Sequence, residues 1–246
     1  MQTVSTTIFC VVSSSDANRH KLLKEHQENI LSQTKPIKAI YVFERDDCPP
    51  SGLFGEKIIT SRCLTIYEAF NYAITACQTD FIMNLNLDDR LNYDAVSIME
   101  QKLIGDDTLL VGGDWKICHS QDETNNVSSC TPANDIPFIP SWPPELGVTS
   151  RLGSGTGERG TYGPSTLWRM KCHEIFSRYP YRTTDGIKIK SIADSIWWSM
   201  LSKKSQGKLS RMPMIIGNYH SHPSEQAEFR HPKEHGLLNG KQISLI

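Results

Sequence analysis

The sequence predicts an α/β fold, with a central, mostly parallel mixed sheet and helices on both of its faces. Two observations carry this prediction. Short apolar runs rich in β-branched residues alternate with segments of helical periodicity through the first half of the chain, which is the pattern of β-α-β units. One run ends in two adjacent acids, Asp88 and Asp89, and ligands of such sheets bind at the carboxyl ends of the strands.

The first half supplies four predicted strands and three predicted helices in alternation. The strands are short apolar runs at residues 4–12, 37–43, 81–87 and 109–111. The helices between them carry apolar residues at helical spacing, at residues 22–31, 66–77 and 95–103. This order predicts a β-α-β-α-β-α-β arrangement, with residues 44–55 as a loop.

The helix near residues 66–77 has the strongest signal of any element. One buried face is predicted from the apolar residues Ile66, Ala69, Phe70, Ala73, Ile74 and Cys77. At its start, Thr65 and Glu68 have the spacing of a capping box, in which each side chain bonds to the backbone amide of the other residue. The helix leads directly into the strand that ends at Asp88.

The second half of the chain is harder to assign. Periodicity disappears over residues 118–160, and a stretch of this length inside a compact domain is typical of a lid or a mobile loop. Helices are predicted near residues 170–176 and 195–202, and a strand near residues 214–219. We predict one domain over residues 1–225, made of halves 1–115 and 116–225, and a solvated tail over residues 226–246.

Composition limits the classes of function. The 246 residues have a formal net charge of -1, so no general attraction to nucleic acid is expected. Seven scattered cysteines without a Cys-x-x-Cys pair argue against a disulfide framework and a structural zinc site. These cysteines and the lack of a signal-peptide pattern predict the cytoplasm. No apolar segment is long enough to span a bilayer, which leaves peripheral membrane association open.

Three groups of residues could carry chemistry, and the first is the pair Asp88 and Asp89. Carboxylates at the mouth of a sheet suit hard divalent cations and the phosphates that these cations carry. The alternative is a pair of polar residues at a strand-to-helix turn, where Asp is favoured for capping.

The second group is Asp194 with Trp197 and Trp198, and the third is His220 with His222. Asp194 has the position of an N-cap. It could also be a general base beside two indoles, an arrangement that suits a sugar acceptor. Alternating histidines on a strand share one face and permit metal ligation, although a pair of surface histidines would look the same.

Taken in order, these segments resemble the family 2 glycosyltransferases of the GT-A fold, which is a Rossmann-like fold. The resemblance covers about residues 4–225. The matching segments are the end of the first helix (30–34), the end of the second strand (41–44), Ala-Phe-Asn (69–71), the Asp-x-Asp-like segment (86–88), an arginine-bearing segment (163–169), the acid before the tryptophans (193–198) and Tyr-x-x-His (219–222).

The resemblance implies a role for each candidate residue. Asp88 would ligate Mn²⁺ or Mg²⁺, with His222 as a further metal ligand, and Asp194 would be the catalytic base. Trp197 and Trp198 would contact the acceptor. The remaining positions would bind the nucleotide-sugar donor, and they are Ser13, Ser14, Glu44, Asn71 and Asn86.

The resemblance also implies the reaction. A metal-dependent, inverting hexosyltransferase would move a sugar from a UDP-, GDP- or dTDP-linked donor to a hydroxyl of a saccharide or glycoconjugate. The first half of the chain would bind the donor, and the second half would bind the acceptor. A homodimer through the C-terminal segment is left open.

Three positions depart from the family pattern and motivate a second hypothesis. Asn86 replaces the first motif acid, Ala193 replaces the acid before the base, and Phe70 replaces a basic residue. These changes suit a catalytically silent domain that binds a nucleotide-sugar or a glycan. A third hypothesis is a nucleotidyltransferase or phosphohydrolase on a similar scaffold.

Overall fold

A computed structural model shows the arrangement of these elements. The structure describes residues 5–14, 17–134, 136–141, 166–190, 193–204 and 208–221. Within them lie ten strands and six helices. The strands are β1 (Thr6–Val12), β2 (Lys38–Phe43), β3 (Glu56–Ile59), β4 (Phe81–Asn84), β5 (Arg90–Leu91), β6 (Leu110–Cys118), β7 (Thr131–Pro132), β8 (Phe138–Pro140), β9 (Leu167–Arg169) and β10 (Leu209–His220). The helices are α1 (Arg19–Leu31), α2 (Ile66–Ala76), α3 (Ala95–Asp106), α4 (Gln121–Asn125), α5 (Lys171–Phe176) and α6 (Ala193–Lys204).

All ten strands join one mixed sheet. Its main path runs β3-β2-β1-β4-β9-β6-β10-β5, with β7 paired to β10 and β8 paired to β6. The strands β3, β2, β1 and β4 are parallel. Since β9 is antiparallel to both β4 and β6, and β10 is parallel to β6, the strands β4, β6 and β10 point in one direction. Strands from both halves of the chain therefore share one sheet.

The sheet separates two hydrophobic clusters, because successive side chains of a strand point to opposite faces. In β2, Ala39, Tyr41 and Phe43 belong to the cluster that α1 and α3 cover. Ile40 and Val42 belong to the cluster that α2, α5 and α6 cover. Helices therefore pack on both faces, as the alternation of strands and helices predicted.

The predicted capping box at the start of α2 is confirmed. The Thr65 side chain accepts a hydrogen bond from the Glu68 amide at 3.2 Å, and the Glu68 carboxylate accepts one from the Thr65 amide at 2.8 Å. The predicted buried face needs one correction, because Ile66 is 42% exposed whereas Tyr67 is buried. The face begins one residue later than the apolar pattern indicated, because the aromatic ring of Tyr67 packs inward.

The predicted strands and helices are present where the structure describes them, with differences at the sheet edges. Strands β3 and β5 were not predicted, because one is an exposed edge strand and the other has only two residues. Part of the segment interpreted as a loop, residues 118–160, forms α4, β7 and β8. Residues 142–165 and the tail lie outside the described residues.

Two further observations concern the whole described chain. All seven cysteines are free, and four of them are buried as small apolar side chains, namely Cys10, Cys118, Cys130 and Cys172. No helix in the described ranges is long and apolar enough to cross a membrane.

Candidate active site at the carboxyl edge of the sheet

The parallel strands end together at one edge of the sheet, which we call the carboxyl edge. Ser13 and Ser14 follow β1, Glu44 follows β2, and Asn86 and Asp88 follow β4. Register fixes this arrangement, because Val12 lies beside Phe43 and Phe9 lies beside Asn84. Five residues predicted to contact the donor therefore lie at the same edge.

The turn after β4 is held by Asp89. The Asn86 amide donates a hydrogen bond to Oδ2 of Asp89 at 2.9 Å, and the backbone amide of His220 donates one to Oδ1 at 2.9 Å. Asp89 is 1% exposed. Burial raises the pKa of its carboxyl well above the usual value, and the neighbouring charge of Asp88 raises this pKa further. Asp89 therefore has a structural position, with both oxygens engaged.

The buried side chain of Arg90 fixes the backbone of the same turn. Its guanidinium donates to the backbone carbonyls of Leu87 and Asp89 at 2.9 and 2.7 Å. It also contacts the side chains of Glu25 at 3.1 Å and Asn125 at 2.8 Å. The side chain is 2% exposed. A buried guanidinium that bonds two successive carbonyls fixes the backbone that carries Asp88.

A second set of contacts joins this turn to α4 and β10. The Gln121 side chain donates to Oδ1 of Asn125 at 3.2 Å and approaches the backbone carbonyl of Asp88 at 3.4 Å. Its amide oxygen lies 2.9 Å from Nδ1 of His220. The residues that surround Asp88 thus come from β4, α4 and the end of β10, which lie far apart in the sequence.

Asp194 reaches the same edge through Tyr67. Asp194 lies in the first turn of α6, where a carboxylate interacts favourably with the helix dipole. Its Oδ1 accepts a hydrogen bond from the Tyr67 hydroxyl at 3.0 Å. Since Tyr67 is in the first turn of α2, which starts at the carboxyl edge, Asp194 and Asp88 lie at the same edge of the sheet.

Asp88 is the one described residue that could hold a divalent cation at this turn, together with the oxygens of a substrate phosphate. Asp88 is half-buried, and its carboxylate follows the end of β4. Mg²⁺ is commonly held by one or two carboxylates together with substrate phosphates. No group of three or more potential metal ligands occurs in the part of the chain that the structure describes, and the predicted ligand His222 lies outside it.

Two predicted donor residues have protein partners. The Glu44 carboxylate accepts a hydrogen bond from the Leu64 amide at 2.9 Å, which joins the loops that follow β2 and β3. The Asn71 amide bonds to both backbone groups of Tyr179, at 2.8 and 3.0 Å. Asn71 lies in the second turn of α2, so this contact gives it a role in packing against the segment after α5.

Trp197 and Trp198 lie in the core, at 0% and 2% exposure. The Trp197 ring stacks on His173 with centroids 4.9 Å apart and contacts Tyr179 at 5.0 Å. The Trp198 ring packs edge-on against Trp168 at 5.4 Å. Neither indole offers an open face to a sugar ring in this structure, which corrects the expectation that they contact the acceptor.

Comparisons with known proteins give similarity at the level of the fold. No known protein-family profile matches the chain, and no curated protein matches it in sequence. The crystal structure of S. aureus TarS aligns over 96% of this chain and 40% of that chain, with a TM-score of 0.58 and 13% identity. TarS 1–349 with UDP aligns over 90% of this chain and 62% of that chain, with a TM-score of 0.58 and 12% identity.

The fold is similar to that of TarS. A third structure, TarS 1–349 with UDP-GlcNAc, aligns over 90% of this chain and 61% of that chain, with a TM-score of 0.56 and 12% identity. The similarity confirms the predicted fold class, an α/β fold of the GT-A type. The chain spans 40% of the length of the first of these structures.

Several residues that shape the site were not predicted from the sequence. Tyr67, Arg90, Gln121 and Asn125 all contact the predicted acids or the turn that carries them. Arg90 had one usable signal, which is its position between two acids and the apolar Leu91. An arginine that enters the core at such a position needs polar partners there, because arginine is seldom buried unpaired. Gln121 and Asn125 had none, because they lie in a segment without periodicity.

Proposed function

We propose that this chain is a glycosyltransferase of the family 2 type, which transfers a sugar from a nucleotide-diphosphate sugar to an acceptor hydroxyl with inversion. The observation that supports this most is the placement of Asp88 and Asp194 at one edge of the sheet. These two carboxylates were selected from separate motifs, and each has a different task in such a reaction. The GT-A-type fold, shared with a protein solved with UDP and UDP-GlcNAc, adds support.

The donor is proposed to bind where the parallel strands end. Ser13, Ser14 and Glu44 would contact the base and ribose, and Asp88 would face the diphosphate through Mn²⁺ or Mg²⁺. When bound, the cation neutralises the charge that develops on the departing diphosphate. Arg90 and Asp89 hold the backbone on either side, so that Asp88 meets the donor in one geometry. UDP is the first nucleotide to test.

Asp194 is proposed as the general base. The acceptor hydroxyl would give its proton to the Asp194 carboxylate as its oxygen bonds to the anomeric carbon. The bond from that carbon to the diphosphate oxygen would break in the same displacement, which inverts the anomeric centre. Tyr67 donates a hydrogen bond to Oδ1 of this carboxylate, which would orient it toward the acceptor hydroxyl.

Asn86 fits this proposal although it replaces an acid. Its amide donates to Oδ2 of Asp89, which a carboxylate at position 86 could not do. Two carboxylates are already close at Asp88 and Asp89, and a third would add repulsion at a buried turn. The substitution therefore supports the turn that presents Asp88.

The test is nucleotide binding followed by turnover. We would measure the melting temperature with UDP, GDP, dTDP and their glucose or N-acetylglucosamine esters, with and without Mn²⁺. A ligand at about 100 times its Kd should stabilise the native state by roughly 2.7 kcal/mol. Release of nucleoside diphosphate in the presence of saccharide acceptors would then report transfer.

The possible outcomes separate the hypotheses. Nucleoside diphosphate release that Mn²⁺ promotes and that Asp194→Asn abolishes supports the proposal. Binding without release across the acceptor panel favours a silent binding domain. Pyrophosphate or inorganic phosphate as the product would replace the proposal with nucleotidyl transfer or phosphate hydrolysis.

A further inference from the structure

A cationic pocket lies on the outward side of α2, outside the site at Asp88. It has a volume of about 170 Å³, well above the roughly 30 Å³ that one water molecule occupies in the liquid. Its walls include Arg62 before α2, Asn71 and Tyr72 on α2, and Arg178 and Tyr181 after α5. The sequence motifs did not indicate this pocket.

Two guanidinium groups at the pocket have no carboxylate partner. Arg62 and Arg178 are both exposed, and neither lies within 4.0 Å of a carboxylate in the part of the chain that the structure describes. Arg62 donates from Nη2 to the Tyr72 hydroxyl oxygen at 2.6 Å. This contact orients the guanidinium along the pocket wall and leaves the Tyr72 O–H able to donate to a ligand.

The one acid among the lining residues is already compensated. The Glu68 carboxylate accepts the capping bond from Thr65 and lies 3.7 Å from Arg182 and 3.5 Å from Lys188. Two cations therefore surround Glu68, and the charges of Arg62 and Arg178 remain in excess. The chain as a whole has a net charge of -1, so this excess is a local feature of the pocket.

Arg182 adds a further cation beside the pocket. Its guanidinium lies over the ring of Tyr181, one of the lining residues, 5.6 Å from the ring centroid.

The pocket is built in advance of binding. The two hydrogen bonds between the Asn71 amide and the backbone of Tyr179 fix the segment after α5 against α2. Arg178 is the residue immediately before Tyr179, so its position relative to Arg62 is set by the same contact. Binding would therefore order side chains only, which keeps its entropic cost low.

The donor set favours phosphate over a carboxylate. Guanidinium groups bind both anions bidentately. Two guanidiniums and the Tyr72 hydroxyl offer more donors around the pocket than the two coplanar oxygens of one carboxylate can accept. A phosphate presents three or more oxygens in a tetrahedral arrangement. These oxygens can accept hydrogen bonds from side chains on several sides of the pocket at once.

We propose that this pocket binds the phosphate group of a soluble phosphorylated ligand. This binding does not depend on the proposed function.

The test uses the whole chain, free of metal, and measures binding by calorimetry. The probes are inorganic phosphate, glycerol 3-phosphate and acetate. We compare the native chain with the double variant Arg62→Gln/Arg178→Gln. The matched control is Lys21→Gln/Lys24→Gln, which removes two exposed positive charges from α1 on the opposite face of the sheet.

The native chain and the control should bind both phosphates, and the Arg62→Gln/Arg178→Gln variant should lose at least about tenfold in affinity. Arg178→Lys keeps the positive charge but removes the paired N–H donors of the guanidinium, so it should also lose affinity for phosphate. Equal phosphate affinity in the double variant overturns the proposal, as does equal loss in the control. Acetate binding as tight as phosphate binding overturns the choice of ligand.

Two further measurements separate this proposal from the proposed function. Binding of UDP with Mn²⁺ should be unchanged in Arg62→Gln/Arg178→Gln. If the native chain does not bind UDP at all, that result contradicts the proposed donor site at Asp88 and leaves the phosphate pocket unaffected. Vesicles of phosphatidylglycerol and phosphatidylcholine test a lipid source for the phosphate. Binding of phosphatidylglycerol vesicles that requires both arginines, without binding of glycerol 3-phosphate, overturns the assignment to a soluble ligand.

Discussion

The backbone amide of His220 donates a hydrogen bond to the Asp89 carboxylate at 2.9 Å, which joins residues 131 positions apart in the sequence. This bond ties the end of β10 to the turn that carries Asp88. The next residue, Ser221, continues the pairing by donating its amide to the carbonyl of Cys118 at 2.8 Å. Ser221, the residue after β10, therefore lies near the turn of the proposed donor site.

Arg90→Lys tests whether the guanidinium positions Asp88. Lysine keeps the charge but cannot bond two carbonyls, Glu25 and Asn125 together. We expect the free energy of unfolding to fall by about 2–4 kcal/mol, measured by urea denaturation. The affinity for UDP with Mn²⁺ should fall too, because the turn loses its support.

Arg19→Lys is the matched control for this change. Arg19 pairs with Asp47 at 3.0 Å, but its side chain is 24% exposed, and a pair of this kind contributes only about 0–1 kcal/mol. Equal loss of stability in the two variants would show that the buried position of Arg90 has no special role.

Asp88→Asn should remove metal-dependent binding without loss of stability. The charge of Asp88 raises the pKa of the buried Asp89 carboxyl, so removing this charge relieves a repulsion in the native state. We expect the Mn²⁺-dependent part of UDP affinity to fall by at least about tenfold, measured by calorimetry. Unchanged affinity with and without Mn²⁺ would contradict the assignment of Asp88 as a metal ligand.

Asp194→Asn should abolish transfer and leave UDP affinity within about twofold, because an amide cannot accept the proton of the acceptor hydroxyl. The measurement is nucleoside diphosphate release beside UDP calorimetry. Tyr67→Phe is the control, since it removes the hydrogen bond to Asp194 but keeps the carboxylate. That variant should retain transfer at a rate reduced by roughly tenfold. Near-normal turnover by Asp194→Asn would remove Asp194 from the role of base.

The stability of the chain should fall as the pH drops below about 6.5. Burial, with the neighbouring charge of Arg90, lowers the pKa of His26 from 6.5 to about 3, and burial lowers the pKa of His173 to about 4. In this range the unfolded chain binds protons that the native chain does not, so acid favours unfolding. Each histidine should contribute about 1.4 kcal/mol per pH unit, measured by urea denaturation between pH 7 and pH 4.

His26→Gln should reduce the slope of the unfolding free energy against pH by the contribution of one histidine, about 1.4 kcal/mol per pH unit. The control is His20→Gln on the exposed side of the same helix, which should leave the slope unchanged. Asp89 acts in the opposite direction, because its raised pKa favours the native state at low pH, and both variants retain it. A slope in His26→Gln equal to that of the native chain would contradict the buried, neutral state of His26.

The fold class and the main elements could be predicted from the sequence because their signals are local. Buried strands such as β2 are short apolar runs, and α2 carries both an apolar face and a capping box. The acids after β4 were visible for the same reason, because a change from apolar to acidic residues marks where a buried segment reaches water. The strand itself was predicted over residues 81–87 and ends earlier, at Asn84.

The partners of the site residues could not be predicted, because they depend on contacts between distant segments. Burial of Trp197 and Trp198 follows from packing against Trp168, His173 and Tyr179, and a tryptophan beside an acid looks the same in sequence whether its ring is covered or open. The bond from Asn71 to Tyr179 is hidden in the same way.

The sequence by itself determined the alternation of strands and helices and the positions of the acids along the chain. Only the tertiary structure decided that Asp194 reaches the carboxyl edge through Tyr67, that Arg90 fixes the turn, and that Arg62 and Arg178 share a pocket. The physical reason is that hydrophobicity and helix capping act between near neighbours. Side-chain hydrogen bonds and charge pairing act between residues that only the packed sheet brings together.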